Sequence, residues 1–176
     1  MKLEWKKIKE RKYKAGYWKM REKTFVLPSG VKASYDIRDS GNTACVLVIT
    51  ENNNVVLVKV FRPGPEKILL EMPGGFVGKD EDIKEAISRE LLEETGYTGN
   101  FEFAGSAIDD AYSNRIINCF VAKGCRKIKD PVTTEEDEKF VEIVEMSLSD
   151  FKKHLKSGQL TDVEAGYMAL DYLGLL

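Results

Sequence analysis

Apolar and polar residues follow two different periods along this chain. Short β-branched and alternating runs predict strands at residues 24–27, 31–37, 44–50, 55–61, 68–72, 101–105, 115–122 and 140–145. The first two runs flank the turn-forming segment 28–30, and the next two flank the asparagine-rich segment 51–54. Each of these pairs therefore predicts a β-hairpin.

Three segments follow the helical period instead, at residues 82–95, 149–156 and 161–172. Gly96 directly after the first segment is typical of a helix C-cap. Strands interspersed with helices indicate an α+β protein or a sheet sandwiched by helices. A chain of 176 residues is expected to form one domain, residues 1–176, that buries roughly two-thirds of its unfolded surface.

Composition places the chain among ordinary globular proteins, since 43% of residues are hydrophobic and 32% are charged. The net charge of −2 predicts no general attraction to nucleic acid or to anionic membranes. It is compatible with a metal-dependent enzyme that acts on anionic substrates. Residues 1–20 mix lysines with aromatics, which can mark nucleic-acid binding. We favour a strand or arm whose aromatics pack on the body or on a second subunit.

The remaining bulk features predict a cytoplasmic protein. Cys45, Cys119 and Cys125 form no CxxC pair, and the first two lie in apolar runs, so buried free thiols are expected. No apolar run approaches the length of a membrane span, and the N-terminus has no apolar leader region. His154 lies in a lysine-rich helix and is expected at the surface. A single histidine argues against Ser-His-Asp or Cys-His chemistry.

The helical segment 82–95 carries the candidate chemistry. On a wheel of about 100° per residue, Glu90 and Glu94 fall within about 20° of Ile83, in the middle of the face that also holds Ile87 and Leu91. Carboxylates on a buried face must be neutralised, paired or bound to a metal. Because residues four apart project the same way, this pair can share one hard cation.

Two other interpretations apply to this acidic segment. The glutamates could decorate a solvated helix that is laced with salt bridges, which is what a charge run usually is. An EF-hand loop could begin at Asp80 and Asp82, but Lys84 occupies its third ligand position and Glu85 the position that needs glycine. The EF-hand interpretation therefore fails.

Residues 75–97 resemble the signature of the Nudix hydrolases, G-x5-E-x7-R-E-U-x-E-E-x-G-U, in which U is a bulky apolar residue. The spacing is met without a gap by Gly75, Glu81, Arg89, Glu90, Leu91, Glu93, Glu94, Gly96 and, as an aromatic at the last position, Tyr97. The resemblance implies an α/β/α sandwich with a mixed sheet. It also implies hydrolysis of a pyrophosphate bond with Mg²⁺, for which Mn²⁺ can substitute.

The resemblance also implies metal ligands. Glu90 and Glu94 would bind the cation directly, Glu93 would bind it directly or through water, and the carbonyl of Gly74 would add a contact. Metal ions bridging the phosphoryl oxygens screen their charge and acidify the attacking water.

Further roles in the signature follow by position. Arg89 would orient a carboxylate, Glu81 would support the loop or a further metal, and Gly75 would provide the turn. Arg89 and Glu93 are therefore counted among the catalytic candidates.

The runs before this segment, LVKVFRP at 57–63 and LLEMPGG at 69–75, look like those of ADP-ribose and nucleotide-sugar pyrophosphatases. Arg62 is expected to bind a substrate phosphate through its fork of donors, with a surface ion pair as the alternative. Glu71 is expected on the substrate side or near the metal, with a structural salt bridge as the alternative. Val60 replaces the usual glutamine, and 107–114 lacks the proline-glycine of the ADP-ribose group, so a general nucleotide-sugar or ADP-sugar substrate is also expected.

The acidic segment 134–138 is the expected source of a further glutamate. In similar enzymes a loop at this place supplies a catalytic base or an extra metal ligand. Glu136 and Glu138 are both candidates, and a solvated charged loop is the alternative.

Two rival functions remain at this point. One is a Nudix-like module that senses a nucleotide without catalysis, and the other is a hydrolase of modified nucleoside triphosphates. The intact glutamate cluster argues against the first, and the long N-terminal β region argues against the second. That region, residues 1–42, is expected to form the interface of a homodimer, with Trp5 and Trp18 as anchors.

Overall fold

The computed structural model describes residues 3–132 and 141–176. The chain divides into two compact units. The first unit comprises Met1–Asn42 and Ile108–Ile116, and the second comprises Thr43–Ala107 and Ile117–Leu176. None of the helices in these two described stretches is long and apolar enough to cross a membrane.

The first unit is built on an antiparallel sheet of β1 (Lys6–Ala15), β2 (Trp18–Val26) and β3 (Lys32–Arg38), in that order. The hairpin predicted around 28–30 is confirmed, and the basic N-terminal segment is a strand. Residues 108–116 join this sheet at its end, because the backbone N–H of Arg38 donates to Tyr112 O at 2.8 Å and that of Asn114 donates to Arg38 O at 3.1 Å.

The second unit contains a sheet in the order β10-β5-β4-β9-β8, with β6 paired to β5 and β7 paired to β4. Its strands are β4 (Asn42–Thr50), β5 (Asn54–Arg62), β6 (Lys67–Glu71), β7 (Gly74–Phe76), β8 (Tyr97–Ile108), β9 (Ile116–Lys127) and β10 (Glu142–Ser147). Asn53, in the predicted turn before β5, has a left-handed φ of 60°, a conformation that asparagine tolerates.

Helices cover both faces of this sheet. One core contains Ile87 and Leu91 of α1 (Ile83–Thr95), and the other contains residues of α2 (Leu148–Lys156) and α3 (Val163–Tyr172), such as Phe151 and Leu170. This arrangement confirms the α/β/α sandwich. Cys45, Cys119 and Cys125 are free and buried in these cores, as predicted.

Local sequence signals fix both ends of α1. The Asp82 carboxylate accepts from the backbone N–H groups of Lys84 and Glu85, which satisfies two donors of the first turn. Gly96 ends the helix at φ 75° and donates its N–H to Leu92 O. The helix that carries the glutamates is therefore set in place by its own caps.

Candidate active site

Two glycines let the backbone of β7 pack closely on both of its neighbours, against β4 at Gly74 and against the helix α1 at Gly75. A Cβ on Gly74 would lie 2.4 Å from Ala44 O on β4, and one on Gly75 would lie 2.5 Å from Glu90 Cδ. Gly75 therefore leaves room for a carboxylate rather than forming the predicted turn, since it lies within β7. Any side chain at this position would displace Glu90.

Glu90 and Glu94 both reach this glycine pair. The backbone N–H of Gly74 donates to Glu94 Oε2 at 3.0 Å. The side chain of Glu90 is 19% exposed, and burial raises its pKa while the neighbouring Arg89 opposes that shift. A carboxylate held partly out of water beside another is stabilised by a nearby cation.

Arg89 is the cation that the chain itself supplies. Its Nη1 lies 2.9 Å from Glu90 Oε1 and 3.1 Å from Glu93 Oε2, and its Nε lies 3.1 Å from Glu81 Oε1. The hydrogen bond from Arg89 lowers the pKa of Glu81, which also accepts from the Gly78 N–H at 2.9 Å. Glu81 thus ties Arg89 to the loop before the helix, and Arg89 holds two of the helix carboxylates.

The donor set fits a divalent cation chemically, because carboxylate and carbonyl oxygens are the ligands that Mg²⁺ prefers. Within residues 3–132 and 141–176, no three carboxylate, imidazole or thiol groups already converge as a bound ion requires. Glu90 and Glu93 instead point to Arg89. Binding would require these carboxylates to turn from the guanidinium toward the ion.

Arg62 and Glu71, the last residues of β5 and β6, form an ion pair. Arg62 donates to one oxygen, Glu71 Oε2, from Nε at 2.9 Å and from Nη2 at 2.5 Å. The Glu71 side chain is 4% exposed, whereas that of Arg62 is 48% exposed. The pKa of Arg62 is raised, chiefly by this hydrogen bond and to a smaller extent by the charge of Glu94. A salt bridge thus holds an exposed guanidinium in the neighbourhood of the helix carboxylates.

The two carboxylate oxygens of Glu71 differ in their hydrogen bonding. Its Oε1 is buried and accepts no hydrogen bond from any residue in the described parts of the chain. The carboxylate is therefore committed to Arg62 through a single oxygen. Glu136 and Glu138, the candidates in the acidic segment, lie outside the described residues.

Two side-chain contacts were not predicted from the sequence. The Tyr97 hydroxyl donates to Glu145 Oε1 on β10 at 2.5 Å, and burial with this bond raises the pKa of Tyr97 to about 12. The prediction that His154 is a surface residue is wrong, because it is partly buried and its Nε2 donates to Leu70 O at 2.8 Å. The sequence showed only an aromatic in an apolar position and a histidine among lysines.

Comparisons with known proteins agree with this geometry. The NUDIX domain model matches residues 40–163. A protein described as a methanol dehydrogenase activator from Bacillus methanolicus is 33% identical over 151 residues, covering 85% of this chain and 80% of that protein. An ADP-ribose pyrophosphatase from Bacillus subtilis is 30% identical with the same coverage of each chain.

A second ADP-ribose pyrophosphatase, from Saccharomyces cerevisiae, is 30% identical over 141 residues, covering 70% of this chain and 61% of that protein. The crystal structure of an ADP compounds hydrolase superimposes with a TM-score of 0.79 over 100% of both chains at 16% identity, which shows a shared fold.

Proposed function

Since this chain belongs to the Nudix family and is a pyrophosphohydrolase of the ADP-ribose pyrophosphatase group, we propose that it hydrolyses ADP-ribose or a nucleotide sugar with Mg²⁺. The observation that carries this proposal is the meeting of Glu90 and Glu94 at the Gly74–Gly75 backbone. Carboxylates brought so close repel each other unless a cation compensates them. A site of this kind suits a substrate whose phosphates need the same cation.

The residues around the glycine pair would have different roles in the reaction. Glu90, Glu94 and the Gly74 carbonyl would hold the cation, which supplies charge screening at the phosphates and acidifies water. Arg89 keeps Glu90 and Glu93 in place when no cation competes for them. Its bond to Glu81 gives Arg89 a partner when those carboxylates turn away. Mn²⁺, with similar oxygen preference, would substitute.

Arg62 supports recognition of a phosphate in this proposal. Both of its bonded nitrogens face Glu71, so the guanidinium plane is fixed while much of the side chain faces solvent. A planar fork held in one orientation suits bidentate binding of a phosphate. Glu71 then acts on substrate through Arg62 rather than by touching it.

A role as a regulator is the second candidate, because one relative carries the name methanol dehydrogenase activator. A nucleotide-sensing module would bind nucleotide without needing turnover. The closely spaced Arg89 contacts to three glutamates favour catalysis, since binding alone does not need all of them.

The test is a panel of ADP-ribose, nucleotide sugars, dinucleotides and nucleoside triphosphates, incubated with Mg²⁺ and separated by chromatography. We expect two nucleoside or sugar monophosphate products from a diphosphate-linked substrate, with a preference over triphosphates of at least about tenfold in kcat/KM. Excess EDTA should abolish turnover. Nucleotide binding without products in the presence of Mg²⁺ or Mn²⁺ would favour the sensor instead.

Two further proposals concern the cellular compartment and the oligomeric state of the enzyme. Buried free thiols at Cys45, Cys119 and Cys125 fit a reducing compartment, which supports the cytoplasm. The exposed aromatics Tyr17 and Trp18 on the first unit support a homodimer that pairs through residues 1–42.

A further inference from the structure

A second cation lies beside Arg62 on the hairpin formed by β5 and β6. Lys67, the first residue of β6, is the register partner of Arg62, the last residue of β5. Cross-strand partners share a face of a sheet, and so do residues four apart on one strand. Lys67 therefore projects from the same face as Arg62 and Glu71, which is the face that carries their ion pair.

Lys67 differs from its neighbours because it has no carboxylate partner among the residues that the structure describes. Its side chain is exposed. Glu71 accepts from Arg62 through Oε2 and not from Lys67. Lys59, on the opposite face of the hairpin, has Glu142 as its partner at 2.8 Å. Like charges directly opposite each other destabilise a hairpin, so the pair of Arg62 and Lys67 favours a bound anion.

The balance of charges at the site also favours an anion at Lys67. Glu71 offsets the charge of Arg62, and Glu90 and Glu94 would offset that of a divalent cation. A diphosphate brings a negative charge on each of its phosphates. Because the other cations are already matched by carboxylates of the chain, Lys67 is the one whose charge is left to compensate the ligand.

The two cations of the hairpin reach different positions along the strands. Arg62 leans toward Glu71, which lies four residues, or about 13 Å, beyond Lys67 on β6. Gly74, three residues after Glu71, binds Glu94, and Glu94 contributes to the raised pKa of Arg62. The guanidinium of Arg62 therefore lies on the side of the helix carboxylates, and Lys67 lies toward the hairpin turn.

We propose that Lys67 binds the second phosphate of a diphosphate ligand, the one farther from the expected cation, and so selects diphosphates over monophosphates. The class of ligand rests on the proposed function. Arg62, with its fork held by Glu71, binds the nearer phosphate, whereas the ammonium of Lys67 is a point charge on a flexible stem that can follow the farther one. Lys67 takes no part in breaking the bond.

The proposal is tested on the full chain by isothermal titration calorimetry in Mg²⁺. The probes are α,β-methylene-ADP, a diphosphate that cannot be cleaved between its phosphates, and AMP. We expect wild type to bind α,β-methylene-ADP at least about tenfold more tightly than AMP, because charge-assisted hydrogen bonds to the second phosphate are the strong ones. Binding of an uncleavable ligand is measured whether or not the chain has hydrolase activity.

Three variants isolate the charge of Lys67. Lys67→Met should lower the affinity for α,β-methylene-ADP roughly tenfold and that for AMP by less than about threefold, as expected for one lost bond between charged groups. Lys67→Arg should restore the preference for the diphosphate. Lys59→Met is the matched control, since it changes the net charge equally on the opposite face of the same hairpin, and it should bind both probes as wild type does.

Stability and turnover separate this role from a structural one. Without ligand, Lys67→Met should unfold at a temperature no lower than wild type, because it removes a repulsion across the strands. With a cleaved substrate, KM should rise while kcat stays within about threefold, since the contact is made in the ground state as well as in the transition state. A lower unfolding temperature with unchanged ligand preference would make Lys67 a structural residue and overturn the proposal.

The other outcomes also decide the matter. Equal losses for the two probes in Lys67→Met, or equal losses in Lys67→Met and Lys59→Met, would show a general charge effect and overturn the proposal. So would a wild type that binds α,β-methylene-ADP no better than AMP. A diphosphate preference that depends on Lys67, in a chain that cleaves no diphosphate-linked substrate, would support this inference while overturning the proposed hydrolase function.

Discussion

At the scale of single residues, the candidate site depends on charged side chains that contact residues of other elements or several carboxylates. Glu94 accepts from the backbone of β7, Glu90 fills the space left by a glycine, and Arg89 joins three carboxylates. Changes that preserve shape but remove charge therefore separate function from folding.

Glu94→Gln is the first such change. The glutamine oxygen can still accept from the Gly74 N–H, so the fold should survive, whereas the charge that would hold a cation is lost. We expect turnover to fall by at least about 10²-fold, the scale of a lost electrostatic group in an active site. Glu85→Gln is the control, because that residue is exposed on the same helix. Wild-type turnover in Glu94→Gln would exclude Glu94 from the catalytic machinery.

Glu71→Gln tests whether the buried pair positions Arg62. The neutral side chain should hold the guanidinium less well, so we expect KM to rise roughly 5- to 30-fold with kcat within about threefold. Glu142→Gln on β10 is the control. It removes an exposed ion pair of 2.8 Å with Lys59, which lies on β5 as Arg62 does. A stability loss without any change of KM would make the Arg62–Glu71 pair structural only.

Glu136 and Glu138, outside the described residues, stay a prediction from the sequence. Glutamates of the Nudix signature that hold a metal are poor bases, so a further carboxylate is expected to accept the proton of the attacking water. Of Glu136→Gln and Glu138→Gln, one should lower kcat strongly with little change in KM, and the other should be mild. Normal kcat in both variants at every pH assayed would move this role to Glu93 or to a metal-bound hydroxide.

At the scale of elements, residues at both ends of helix α1 determine where it begins and ends. Gly96 has a left-handed φ of 75°, and a Cβ there would lie 2.0 Å from Lys129 O. Gly158 shares the left-handed conformation, with φ 69°, but a Cβ there would meet no atom within 4 Å. The two glycines form a matched pair that separates backbone strain from steric overlap.

We expect Gly96→Ala to lower the free energy of unfolding by more than about 2 kcal/mol, the sum of a left-handed alanine and an overpacked contact. Gly158→Ala should lose only about 1 kcal/mol, from conformation alone. Urea unfolding measures both. Equal losses would mean that the backbone near Lys129 moves away at little cost.

At the scale of the whole molecule, we predict a homodimer with residues 1–42 in its interface. Trp18, the first residue of β2, is 47% exposed. Exposed tryptophans are frequent anchors of interfaces. Light scattering at micromolar concentration should show a dimer for wild type and weaker association for Trp18→Ser. A monomeric wild type would contradict the prediction.

Much of the fold and part of the site follow from local patterns. The period of the segment 82–95 places Glu90 and Glu94 on one face, and Asp82 and Gly96 mark the ends of that helix. These features depend on residues within a few positions of one another, where the backbone alone determines geometry. The helix and its two ends were therefore predicted correctly, and the family and the sandwich fold were predicted correctly from the resemblance of residues 75–97 to the Nudix signature.

The tertiary structure decided which distant residues meet. Tyr97 reaches Glu145 on β10, Glu94 reaches Gly74 on β7, and residues 108–116 join the first unit rather than the second. Strand order and register select such partners, and neither is encoded in the period of a single segment. For the same reason the net charge of −2 does not show that the first unit is basic and the second acidic, because a sum over residues does not record where they lie.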